Sequence, residues 1–491
     1  MRPAPRRPKT LFDKLAYGFG SVAYGVKDNG FSYLLLIYYN QVVGMPASQV
    51  GLALLIVLVI DALVDPALGY ISDNTRSRWG RRHPYMYAAA IPAAVSYLAL
   101  WNPPDGLSGQ GLFLYLVVVA SIVRVFISFN EIPSTSLVAD LTDDYDQRTS
   151  FLSYRYFFGW WGGLVVNILA FSYFLRPTPE QPIGQLNQAG YQSYALVASL
   201  LMLIAILVSA VATHRHIPSF ALPPPKRPMS LGRVAREMIE TLNNRAFLVM
   251  TGAALFGYCS AGLIAAMVTY FRTYFWELSG PQIGLISASN FISAIAALFL
   301  APRLSRMFGK KRGAIIVAAV VIVLSPITYL ARFAGIMPPN GSDALVAVLF
   351  TTSFLSVTFS ITSGILTASM FADVVEESEL RTGRRNEGVF FSANSFVSQC
   401  VSGVGLFLAG VILQFAAFPE GARPGEVSDA VLYKLMFTEV AVVAGLQVLN
   451  LAMLTLYPIT RARHQANLDR LAAAAPERSR VPTSEAGAPP V

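Results

Sequence analysis

Residues 50–70 read VGLALLIVLVIDALVDPALGY, and Asp61 and Asp65 are the only charges among them. The run has the roughly 20 apolar residues needed to cross a bilayer. A carboxylate at membrane depth costs about 2.5–3.5 kcal/mol on insertion scales, so a pair of them is strongly disfavoured without a compensating role. Their i, i+4 spacing places both on one face of a helix. Like charges that close repel unless a positive group stands between them or one is protonated. The pair is therefore expected to hold a cation or a proton. The alternative is that these acids only pair with basic residues to hold helices together. Pro66 follows Asp65 and removes the amide that would serve the Ala62 carbonyl, freeing a further hard oxygen beside the acids.

Working outward, hydrophobic residues make up 54% of the 491 and charged residues only 13%, a composition too apolar for a soluble multidomain protein. Twelve segments approach membrane-spanning length: 17–41, 49–71, 84–101, 111–139, 151–174, 191–213, 246–276, 281–302, 313–334, 344–371, 388–416 and 430–457. The net charge of +9 is not a nucleic-acid footprint, because basic residues crowd into every second loop. Arg76, Arg78, Arg81 and Arg82 follow the second span, Lys310, Lys311 and Arg312 the eighth, and Arg381, Arg384 and Arg385 the tenth. The alternate loops carry only Arg176 and Arg423. By the positive-inside rule both termini and the basic loops are cytoplasmic. The first apolar run carries Lys27 and Asp28 and lacks a small-residue cleavage site, so it does not read as a cleaved signal peptide. Cys259 and Cys400 each lie within a span and read as buried thiols with no disulfide framework or metal spacing.

The chain repeats itself. Gln49-Val50-Gly51-Leu52 opens the second span, and Gln282-Ile283-Gly284-Leu285 opens the eighth, 233 residues later. Ala139-Asp140 and Arg148-Thr149 recur at the same offset as Ala372-Asp373 and Arg381-Thr382, and Gly80-Arg81-Arg82 has a looser counterpart in Gly309-Lys310-Lys311. Two six-helix repeats of this kind describe the major facilitator fold, an all-α polytopic membrane protein of twelve helices. The expected organisation is an N-terminal six-helix bundle over 1–213, a cytoplasmic central loop over 214–245, a C-terminal bundle over 246–458 and a disordered cytoplasmic tail over 459–491. The buried acids do not follow the repeat: Asp28, Asp61, Asp65 and Glu131 map to Ala261, Ala294, Leu298 and Gly364. Residues present in one copy point to a task rather than to the scaffold.

Spans one, two and four of such a repeat converge on one cavity, so Asp28, Asp61, Asp65 and Glu131 are candidates for a single acidic cluster. Lys27 lies about 100° round the helix from Asp28 and faces a different neighbour. Tyr24, Tyr154, Tyr156, Trp160 and Trp161 are candidates for stacking on the C–H faces of a sugar, the alternative being ordinary interface or core aromatics. Asp73, Arg81 and Arg82 stand where the second span enters the cytoplasm. With Asp140, Asp143, Asp144, Asp146, Glu376, Glu377 and Glu379 they form either a cytoplasmic gate of ion pairs between the halves or a set of solvated loop charges.

The stretches KLAYGFG from Lys14, KDNG from Lys27 and LVIDALVDPALGYISDNTRSRWGRRHPY from Leu58 resemble the glycoside–pentoside–hexuronide:cation symporters, the melibiose-permease-like branch of the major facilitator superfamily. EIPSTSLVADLTDDYDQRT from Glu131 and ADVVEESELRTGRRNEG from Ala372 extend the resemblance over nearly the whole chain. It implies a coupling-cation role for Asp61 and Asp65, assisted by Ser128, and substrate binding by Lys27, Asp28, Glu131 and Arg155. Three positions depart from the melibiose carriers. Thr135 stands where they have a tryptophan, Leu58 where they have an arginine, and Gln399 where they have a lysine.

The expected function is import of a glycoside or related sugar with Na+ or H+ by alternating access. The protein is expected to lie in a bacterial-type inner membrane among lipid and to work as a monomer. No cofactor beyond the coupling ion and no nucleic-acid partner is expected. If the ion is Na+, Asp61 and Asp65 are its metal ligands. Two alternatives stand beside this reading: a lysolipid or amphiphile carrier of the same fold, and a membrane receptor that binds without transport. An enzyme is not expected. There is no metal spacing, activated nucleophile or phosphate loop, and His83, His214, His216 and His464 all lie in or beside cytoplasmic loops.

Overall fold

The computed structural model describes residues 10–142, 144–220, 245–382 and 387–458, with side chains except at 145–146, 219, 372, 375–382 and 387–396. The expected tail over 459–491, residues 221–244 of the central loop, and the side chains of Asp143, Asp146, Glu376, Glu377 and Glu379 lie outside the described residues.

Apolar segments bounded by polar turns fold as helices because backbone in hydrocarbon must satisfy its own hydrogen bonds. α1 is a helical run over 11–42. It is followed by α2 (Ala47–Asn74), α3 (His83–Leu100), α4 (Gly109–Leu141), α5 (Tyr145–Leu169, carried on by Ala170–Phe174) and α6 (Gln188–His214). Then come α7 (Arg245–Tyr270, carried on by Phe271–Phe275), α8 (Gly280–Phe308), α9 (Lys310–Phe333), α10 (Asp343–Thr382), α11 (Glu387–Phe415) and α12 (Asp429–Thr455). Ten of these are long and apolar enough to cross a membrane, and α1 and the shorter α3 complete the set among the described residues.

α3 packs on α4 and α6, α2 on α4, and α1 on α5 and α6. The same pattern returns as α9 on α10 and α12, α8 on α10, and α7 on α11 and α12. The two sets meet where α2 lies on α11, α5 on α8 and α1 on α7. The repeat is visible in backbone detail. Wide π turns fall at Tyr38–Val42 and at Phe271–Phe275, one repeat length apart. Gly80 and Gly309 both turn the chain at positive φ, 74° and 77°, which favours glycine.

Glycine also sets the helix spacing. A Cβ on Gly25 of α1 would fall on the Gly159 carbonyl of α5, and one on Gly405 of α11 would fall on the Cys259 carbonyl of α7. Between the sets, Gly410 faces the backbone of Ala47, Gly51 that of Phe407, and Gly403 the side chain of Leu58. At the end of the molecule away from the basic loops, Gln41 joins both sets. Its amide donates to the Pro419 carbonyl at 3.1 Å, and its oxygen accepts from Tyr274 and from the Ala422 amide, each at 3.0 Å.

At the basic end, Asp13 of α1 is clasped by Arg215 and His216, which follow α6, at 2.6 and 2.7 Å. Burial works against its charge, but bonds from His216, the Thr10 backbone and Arg215 prevail and hold the carboxyl well below the ordinary range. His83 is fully buried beside Thr213, and burial, aided by the charges of His214 and Arg82, pushes its pKa from 6.5 down to about 3. The unfolded chain therefore takes up a proton at His83 that the folded chain refuses. Stability contributed by this group is present above pH 6.5 and falls as the pH drops toward about 3. Thermal unfolding of the wild type and of His83→Gln across that range checks this, with a shallower acid decline expected in the variant.

Candidate functional site

α2 and α4 carry the acids into the interior, because their polar residues recur on one face of an otherwise apolar helix. Asp61 is buried against α4, where Arg124 Nε donates to its Oδ2 at 2.8 Å and the Ser128 hydroxyl donates to its Oδ1 at 3.2 Å. Arg124 is itself buried and stands over the Phe31 ring of α1. One turn further along α2, Asp65 Oδ2 accepts from the Gln399 amide of α11 at 3.1 Å. The four acids thus do not form the single cluster expected from sequence.

Asp28, Glu131 and Arg155 form a second group on the wall of a cavity of about 270 Å³. Arg155 of α5 binds the Glu131 carboxylate at 2.6 Å and the Ser134 hydroxyl at 2.8 Å, and its own side chain is buried. The Asp28 side chain is half exposed and faces the cavity, while Lys27 turns away, buried over the Tyr24 ring at 4.3 Å. Lys27 links the two groups, standing within electrostatic reach of Arg124, Asp28, Asp61 and Glu131. Tyr24, Tyr156 and Trp160 line the cavity, and Asn290 of α8 reaches it from the other set of helices. Trp161 stacks instead on Phe157 and packs against Phe291 of α8.

The residues expected to gate the basic end are paired within one set. Arg81 binds Asp140 at 2.6 Å, and Arg82 binds Asp140 at 2.8 Å and Asp73 at 3.3 Å. The second set repeats the clasp, with Lys310 on Asp373 at 2.6 Å. Asp373 lies 233 residues after Asp140, so by the logic of the repeat this clasp belongs to the scaffold.

Arg124 was not singled out in the sequence, although a signal for it exists. It is a lone base deep in an apolar helix, and Arg124, Ser128 and Glu131 fall at i, i+4 and i+7 on one face. Arg272 and Glu439, both buried in the second set of helices, were also passed over. Arg272 donates to Ser287 at 2.9 Å.

Two sets of six helices with buried charge around a cavity between them define a membrane transporter of the major facilitator type. The chain belongs to the family described as MFS/sugar transport protein, which matches residues 16–461. It is 27% identical to the uncharacterized symporter sll1374 of Synechocystis, over 92% of this chain and 94% of that protein. It is 23% identical to the isoprimeverose transporter of Lactiplantibacillus pentosus, over 83% and 80% of the two chains. The crystal structure of a D-xylose–proton symporter superposes with a TM-score of 0.61 at 15% identity, covering 93% of this chain and 99% of the other, a likeness of fold.

Proposed function

We propose that the protein is a cation-coupled symporter that brings a glycoside or related sugar into the cell by alternating access. The reading is carried by the cavity wall. A carboxylate on α1 and an ion-paired carboxylate on α4 face one space together with aromatic rings. Carboxylates and a guanidinium match the hydroxyls of a sugar, and rings match its C–H faces, whereas an acyl chain has no use for buried charge. Asp28, Glu131 and Arg155 hold the substrate, and Lys27 sets the charge behind them. Asp61, Asp65 and Ser128 form the cation site, and the basic end, with Asp73, Arg81 and Arg82, faces the cytoplasm of a bacterial inner membrane. The N-terminal and C-terminal bundles rock about the cavity, and the arrangement described, joined at the far end through Gln41, is the one open inward. Coupling requires cation and substrate to raise each other's affinity equally.

Uptake into membrane vesicles, screened over a panel of glycosides under imposed Na+ or pH gradients, tests this. One class of glycoside is expected to accumulate, and Asp61→Cys and Asp65→Cys are expected to lose cation-stimulated uptake. Saturable binding with no accumulation under either gradient would favour a receptor.

A further inference from the structure

Asp65 and Gln399 meet across the two sets of helices, and each buries one oxygen that has no hydrogen-bond partner among the described residues, Asp65 Oδ1 and Gln399 Oε1. Their remaining atoms are already joined, Gln399 Nε2 donating to Asp65 Oδ2 at 3.1 Å. Two acceptors cannot serve each other. A proton on Asp65 Oδ1 makes it a donor, and a neutral carboxyl and a primary amide then close a ring of two hydrogen bonds that satisfies both orphans.

We infer that the Asp65–Gln399 pair is a proton-binding latch between the two bundles, so that the ion exchanged at the acid pair is H+ rather than Na+. The inference deepens the proposed function and rests on the reading of Asp65 as part of the cation site. The surrounding groups point the same way. On α2 itself, Asp61 is already neutralised by Arg124 of α4 at 2.8 Å. Ser128 has one proton, and Asp61 takes it. From α1, Lys27 is the further charge within reach. From α11 the pair receives an amide. A guanidinium, a hydroxyl and an amide N–H are donors, and they occupy the oxygens that a hard cation would need as ligands. A proton needs one oxygen only.

The position gives the latch its effect. Contacts along α2 descend from Ala47 on Gly410, through Gly51 on Phe407 and Leu58 on Gly403, to Asp65 on Gln399. The protonated pair ties the bundles at the level nearest the basic end in this series. Loss of the proton leaves a charged carboxylate against an amide oxygen and favours parting there.

Infrared difference spectra of the full-length protein in nanodiscs, recorded on acidification without substrate, test this. The expected result is a carbonyl band of a hydrogen-bonded neutral carboxyl, lost in Asp65→Asn and shifted toward the free-acid position in Gln399→Leu, with no effect of Na+. The proposal is overturned if Asp65→Asn keeps the band or if Gln399→Leu leaves it unmoved. It is also overturned if Na+ alone binds the wild type saturably and displaces the band, a measurement that needs no variant. No sugar enters the experiment, so failure to find glycoside uptake overturns the substrate reading and leaves these spectra as they are.

Discussion

Replacing Arg124 by methionine is expected to destabilise the protein by about 3–5 kcal/mol, the usual result of removing one partner of a buried ion pair. Asp61 would stay buried beside α4 with only the Ser128 hydroxyl to serve it. The attraction across the pair offsets a desolvation cost that both charges carry, so removing both partners is milder than removing one. Arg124→Met combined with Asp61→Leu is therefore expected to recover most of the lost stability without recovering cation-stimulated uptake. Thermal unfolding of the purified protein in micelles, read as a double-mutant cycle, measures the coupling. Equal destabilisation in the single and double variants would show that Arg124 does not act through Asp61.

Glu131 provides the second large effect. Glu131→Ala strands the Arg155 guanidinium, of which only 5% is exposed, and is expected to cost about 3–5 kcal/mol. Glu131→Gln keeps an oxygen for Arg155 and should fold, but it removes the charge that a sugar hydroxyl would meet. Uptake by this variant is expected to fall about ten- to a hundredfold, the worth of a hydrogen bond to a charged group. Unfolding temperature and initial uptake rate, measured on the same preparations, separate the two effects. A glutamine variant with full uptake would remove Glu131 from the substrate site.

The helical fold was legible because the bilayer imposes a length, and the loops between the apolar segments alternate in charge. Each of the twelve expected spans overlaps one helix of the structure. The partners of the acids were not legible for a definite reason. Helical periodicity says that Asp61 and Asp65 share a face of α2, but not which neighbour that face meets. It meets two, since Asp61 turns to α4 and Asp65 to α11. Arg124 escaped notice because basic residues were weighed in loops, where they report topology, and this one lies inside a span. Gln399 stood out only as a departure from a related pattern, and its meaning depends on the unpaired oxygen opposite it. The gate residues show the reverse case. Their spacing repeats at the length of the chain's own duplication, and the structure places them in matching clasps within each set.

The wide turns at Tyr38–Val42 and Phe271–Phe275 have a historical consequence. A π turn accommodates one residue more than the ordinary helix, and two such surpluses at equivalent places are most simply inherited from one. The surplus residue was then already present in an ancestor of half this length, before its gene doubled. Trimming it from either copy would rotate everything beyond it by about 100° and leave two halves that no longer match.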